Sequence, residues 1–152
     1  MSPFRIARTV PLTPEEAWRR VTDWPAHGAL VPLTRTTVLP GPGGGVGTRF
    51  SARTGLGPLA FEDPMEVTVW EPPAAGRPGR CRLVKYGRLV RGWALIEVYG
   101  SGGGARVEWL EDLRVRGLPR AFDPVLERAG RRVFGRALDA LLAGPDDEGP
   151  AA

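Results

Sequence analysis

Residues 122–142 read FDPVLERAGRRVFGRALDALL, and this stretch decides the architecture. Phe122, Val125, Leu126, Ala129, Val133, Phe134, Ala137, Leu138, Leu141 and Leu142 recur at i, i+3, i+4 and i+7, while Arg128, Arg131, Arg132, Arg136 and Asp139 take the other side. That spacing predicts one long amphipathic helix. Asp123-Pro124 suits its cap and first position, and Gly144-Pro145 its stop. About twenty residues at about 1.5 Å each span roughly 30 Å, enough to lie across a whole sheet.

Upstream the period changes from helical to two. Strands are expected near 34–39, 47–54, 59–70, 80–86, 90–99 and 105–115, separated by Gly41 to Gly45, Gly55 to Gly57, Pro72 to Gly79, Gly87 and Gly102 to Gly104. This is the pattern of an antiparallel meander. Asp63-Pro64 falls inside the third of these strands and is expected to bulge or bend it. Residues 3–10 alternate with Phe4, Ile6 and Val10 on one side, predicting one more strand. Thr13 then caps a helix, with Pro14 in its first turn and Glu16 completing a capping box. Trp24-Pro25 ends that helix, and a second short one runs on to Leu30. The expected class is α+β: a curved antiparallel seven-stranded sheet, two short helices and one long C-terminal helix. One domain is expected over residues 1–144, followed by a disordered tail at 145–152.

Composition removes several chemistries. Among 152 residues there is one cysteine, Cys81, one histidine, His27, and no Asn or Gln, so neither a disulfide nor a Cys/His zinc set can be assembled. Serine occurs only at 2, 51 and 101, with no G-x-S-x-G elbow around Ser51. No metal and no cofactor are expected. Gly and Pro make up about a quarter of the chain, but 42% hydrophobic residues with five Trp and five Phe argue for a folded, loop-rich domain. The net charge is +4, yet the arginines are scattered among Asp and Glu and Lys85 is the only lysine. A solvated basic surface is therefore expected rather than a nucleic-acid partner. Arg5 and Arg8 interrupt any signal peptide and no apolar run approaches a membrane span, so a cytoplasmic protein without membrane insertion is expected, as monomer or homodimer. Gly41 to Gly47 lacks the Lys-Ser/Thr of a phosphate loop and reads as a hairpin turn.

The order of elements resembles the helix-grip fold of the START-related SRPBCC superfamily, which includes the birch-pollen-allergen type and the polyketide cyclase/dehydrase group. Thr13-Pro-Glu-Glu-Ala-Trp18, Thr22-Asp-Trp-Pro25, Gly45-Val-Gly-Thr-Arg-Phe50, Pro64-Met-Glu-Val-Thr-Val-Trp70-Glu-Pro-Pro73 and Arg106-Val-Glu-Trp109 are similar to patterns of its bacterial members. The resemblance covers about residues 3–143 and implies a cavity between the long helix and the concave sheet. It also implies a guest: a hydrophobic small molecule, polyketide, aromatic or lipid-like, that is carried or, in aromatase/cyclase and dehydratase members, transformed.

On that resemblance the expected ligand-binding residues are Trp24, Phe50, Ser51, Phe61 and Met65, together with Val67, Trp93, Trp109, Phe122 and Leu126. Phe134 is expected beside them, although the more common role of each apolar member is that of an ordinary core residue. The catalytic candidates are Glu111, Arg53 and His27. Glu111 shares a strand face with Val107, Trp109 and Leu113, where burial would raise its pKa toward that of a general acid or base. Ser51 and Arg53 share a face and would together orient a ligand oxygen, but if Phe50 points inward they point to water. His27 is the one side chain that titrates near neutrality unaided. A third expectation, a partner-binding module using the basic helix face, predicts a filled cavity.

Overall fold

The computed structural model describes residues 3–30, 33–41 and 44–144; the tail expected at 145–152 lies outside them. Strand β1 (Phe4–Val10) is followed by helices α1 (Pro14–Val21) and α2 (Trp24–Leu30). Then come β2 (Thr34–Val38), β3 (Arg49–Thr54), β4 (Phe61–Glu71), β5 (Gly79–Tyr86), β6 (Val90–Ser101) and β7 (Gly104–Val115), and last α3 (Asp123–Ala143). The strands form one antiparallel sheet in the order β1-β7-β6-β5-β4-β3-β2. This is the helix-grip arrangement, with β1 closing the meander by pairing along β7.

Local chemistry sets the boundaries. The Thr13 side chain accepts the Glu16 amide, and Pro14 fills the first turn of α1, where no amide partner is needed. The long helix starts differently from the sequence expectation. A 3-10 turn over Arg120–Phe122 leads straight into it, Phe122 takes the cap position, and Asp123 is already helical.

No bulge falls at Asp63-Pro64: β4 runs through both residues in unbroken register with β3, with Ser51 opposite Pro64. The ladder between β4 and β5 begins only at Met65, so Pro64 stands beyond its end and its missing N–H breaks no bond there. The register shift lies instead between Val67 and Val69. The extra residue lets Met65 and Val67, then Trp70, all face the concave side.

The interior is solid at one end and hollow at the other. Trp18 and Val21 of α1, Leu138, Leu141 and Leu142 of α3, and Cys81, Ile96, Val98 and Val107 of the sheet fill the first. Gly130 lets α3 descend onto Phe4, because a Cβ there would stand 2.8 Å from the ring.

Candidate functional site

Between α2, α3 and the concave face lies a cavity of about 240 Å³. Its deeper wall is apolar: Phe50, Met65, Leu83, Ala94 and Trp109 from the sheet, and Phe134 and Ala137 from α3. Thr54, Phe61, Val90 and Leu113 line it at the sheet end where the loops after β3, β5 and β7 lie. The wall is stiffened by a continuous run of rings. Phe50 stacks on Trp24 at 4.8 Å, Trp24 meets His27 at 5.2 Å, His27 meets Trp109 at 5.4 Å, and Trp109 meets Phe134 at 5.8 Å. Such pairs hold flat walls in fixed positions.

Across this apolar wall runs a diagonal of three charged side chains. Lys85 of β5 places its Nζ 2.8 Å from Asp63 Oδ2 of β4 and 3.6 Å from Glu111 Oε1 of β7. The strand between Lys85 and Glu111 is β6, and its inward positions there are Gly92 and Ala94, opposite Lys85 and Glu111 respectively. The small residues leave the lysine free to reach across. Gly92 is also the one residue type that fits, having φ +138° and the Asp112 carbonyl oxygen where a Cβ would be.

Trp109 Nε1 donates to Glu111 Oε2 at 2.7 Å, and Lys85 Nζ also touches Met65 Sδ. Glu111 is wholly buried and Lys85 nearly so. Burial holds the Glu111 carboxyl above the usual carboxylate range, against the opposing pull of Lys85. For Lys85 burial alone would lower the value, but Glu111 and Asp63 outweigh it and keep the ammonium charged. The cluster is therefore a lysine–aspartate ion pair with a second carboxyl beside it, whose charged form burial disfavours and Lys85 favours.

His27 sits half-buried at the edge of the cavity, its Nε2 donating to the Val21 carbonyl at 2.8 Å. Burial pushes its pKa down from 6.5 to about 4, so the ring is neutral at pH 7 and Nδ1 carries the free lone pair. Because the unfolded chain takes the proton first, the stability His27 contributes is present above pH 6.5 and is lost as the pH falls toward 4. Denaturation of the wild type and of His27→Phe at pH 7 and pH 4.5 should show the wild type losing ground to the variant, by about 2 kcal/mol. Glu111, whose shift works in the opposite sense, is common to both proteins and cancels in the difference. A pH-independent difference would mean that the ring is solvated.

The structure brings only some of the expected residues together. His27, Phe50, Phe61, Met65, Trp109 and Glu111 line the cavity. Trp24 and Val67 are buried behind the wall, Trp24 beneath His27 and Phe50, and neither reaches the space. Ser51 and Arg53 lie on the outer face, since Phe50, Ala52 and Thr54 point in; Ser51 donates to Glu62 and Arg53 pairs with the same carboxylate. Trp93 is likewise outward, under the guanidinium of Arg82 at 5.8 Å. Phe122 is 50% exposed in the turn before α3. Leu126, half-buried, faces a separate groove with Leu118 and Arg120.

Lys85 and Asp63 are the functional candidates the sequence reading missed. The signal was available for Lys85: Gly79, Cys81, Leu83 and Lys85 alternate on one face, so the lone lysine ends a row of buried residues. Among the described residues no set of three His, Cys, Asp or Glu is placed to hold a metal, and no helix is long and apolar enough to cross a membrane.

Comparison with known proteins adds a family. The family model described as polyketide cyclase/dehydrase and lipid transport matches residues 1–143. Among solved structures, the Zhui aromatase/cyclase from a Streptomyces species superposes with a TM-score of 0.68 at 14% identity, covering 93% of this chain and 92% of that one. Ara h 8.0201 gives 0.63 at 13% identity, covering 94% and 99%. A norcoclaurine synthase point mutant from Thalictrum flavum, in complex with a transition-state analogue, gives 0.61 at 16% identity, covering 93% of each chain. At such identities the likeness is one of fold. No curated protein sequence matches the chain.

Proposed function

The chain belongs to the polyketide cyclase/dehydrase and lipid transport family, and from that premise we propose that it binds a flat hydrophobic small molecule in the cavity under α3. The observation that carries this reading is the space itself, about 240 Å³ walled by Phe50, Phe61, Trp109 and Phe134. An empty apolar hole of about 150 Å³ already takes benzene, so this one suits a guest of two fused rings or a short folded chain. The ring run from Phe50 to Phe134 supports an aromatic or polyketide-like guest over a saturated one, because fixed flat walls favour a flat partner.

The test is native mass spectrometry of the freshly purified protein, followed by denaturing extraction. A stoichiometric apolar compound is the expected result. An empty protein whose melting temperature does not respond to polyaromatics or fatty acids would end the reading in favour of a partner-binding module.

A second reading is supported by the Lys85–Asp63–Glu111 cluster: a cyclase or dehydratase working in the same space. A carboxyl with a raised pKa beside a fixed ammonium suits proton transfer to and from an enolisable ketone, with the ammonium steadying the enolate oxygen. An oligo-β-ketone probe should then cyclise faster with the wild type than with Glu111→Leu. Equal rates for the two proteins would leave binding alone.

A further inference from the structure

Two oxygens in the cavity wall are left without hydrogen-bond partners. Glu111 is fully buried, and its Oε1 accepts no hydrogen bond, the Lys85 ammonium standing too far off at 3.6 Å. Asp63 Oδ1 is likewise buried and unpartnered, while Oδ2 of the same carboxyl holds Lys85. Both residues line the cavity. A buried carboxyl oxygen without a partner is costly, by about 1–3 kcal/mol, and such atoms in a site walled by apolar groups point to a missing hydrogen-bonding ligand.

The chemistry of the missing group follows from what is already taken. Trp109 occupies Glu111 Oε2 as donor, and Lys85 spends its reach on Asp63 Oδ2 and Met65 Sδ. When Glu111 is ionised, Oε1 wants a donor. When it carries a proton, Trp109 holds Oε2 as an acceptor and the proton falls on Oε1, which then wants an acceptor. A hydroxyl satisfies both states. An ether or ketone satisfies only the second, and a bare hydrocarbon neither.

We propose that Glu111 Oε1 and Asp63 Oδ1, held around Lys85, form a hydroxyl-recognition site, so that the guest is a flat apolar compound carrying a phenolic or enolic hydroxyl on the end that meets Glu111. The inference rests on the binding reading above and gives it a substrate class. The flat body lies along Phe50, Trp109 and Phe134, and the hydroxyl meets the charged diagonal.

Three probes of nearly one shape test it: naphthalene, 2-methoxynaphthalene and 2-naphthol, titrated by calorimetry against the full chain at pH 7.5. The wild type should bind 2-naphthol at least tenfold more tightly than naphthalene, and more tightly than 2-methoxynaphthalene, since only the hydroxyl serves Glu111 Oε1 in both of its protonation states. Glu111→Leu, which removes the unpartnered oxygen and leaves Lys85 paired to Asp63, should bring 2-naphthol within about twofold of 2-methoxynaphthalene. Equal wild-type affinities for all three would overturn the hydroxyl site and leave hydrophobic binding standing. Binding of none of them would remove the flat-guest reading and the hydroxyl site with it.

Discussion

Lys85→Met is expected to destabilise the protein by about 3–5 kcal/mol at pH 7, the usual consequence of removing one partner from a buried ion pair. The side chain is 5% exposed and lies between Asp63 and Glu111, whose side chains are 14% and 1% exposed. Without the ammonium, two carboxylates face each other across an apolar space, and the cheapest escape is to take up protons. Glu111, whose pKa burial already raises, then loses the opposing pull of Lys85, so the variant keeps stability at low pH and loses it as the pH rises. Urea denaturation should therefore show the deficit at pH 7.5 shrinking at pH 5. The double variant Lys85→Met, Glu111→Leu should be more stable than the single one, since it trades an unpaired buried charge for packed hydrocarbon. A single-variant cost below about 1 kcal/mol, or a double variant worse than both singles combined, would mean that water fills this part of the cavity.

That cluster also marks where the sequence stopped being readable. Alternation along β7 assigns Val107, Trp109, Glu111 and Leu113 to one face with little ambiguity, and all four face inward. The same rule works for β3 once one residue is fixed: Phe50 inward forces Ser51 and Arg53 outward. It misleads on β6, where the inward residues beside the cluster are Gly92 and Ala94, which carry almost no hydrophobic signal, while the outward Trp93 carries a large one. Reading hydrophobicity alone picks the wrong face, because this stretch of wall needs emptiness rather than bulk. Lys85 hides for a related reason. A lone lysine reads as solvent-facing, and only its two carboxylate partners, far apart in sequence, make its burial tolerable. The first turns of α3 fail in the opposite sense. Phe122, Val125 and Leu126 continue the apolar stripe, yet Phe122 and Val125 stay exposed and Leu126 faces the groove beside Leu118 and Arg120.

Trp109 is where core and cavity meet, and its removal should separate the two roles. The ring is 3% exposed, contacts His27 and Phe134, and anchors Glu111 through its indole N–H. Trp109→Ala should lose about 3–5 kcal/mol, because the deleted ring leaves a hole that opens into the existing cavity and is not closed by collapse. Glu111 also loses its donor, which adds the cost of a second unpartnered carboxyl oxygen. Indole has the missing shape and the missing N–H together. At about a hundred times its dissociation constant it should return roughly 2.7 kcal/mol to the variant, read as a rise in melting temperature larger than any it causes in the wild type. Benzothiophene, similar in outline but without the N–H, should rescue less, and the difference between the two compounds measures what the Trp109–Glu111 hydrogen bond contributes. If indole shifts the variant no more than the wild type, the neighbouring side chains have closed over the hole. Trp109 would then be a packing residue of the solid end rather than part of the wall that meets a guest.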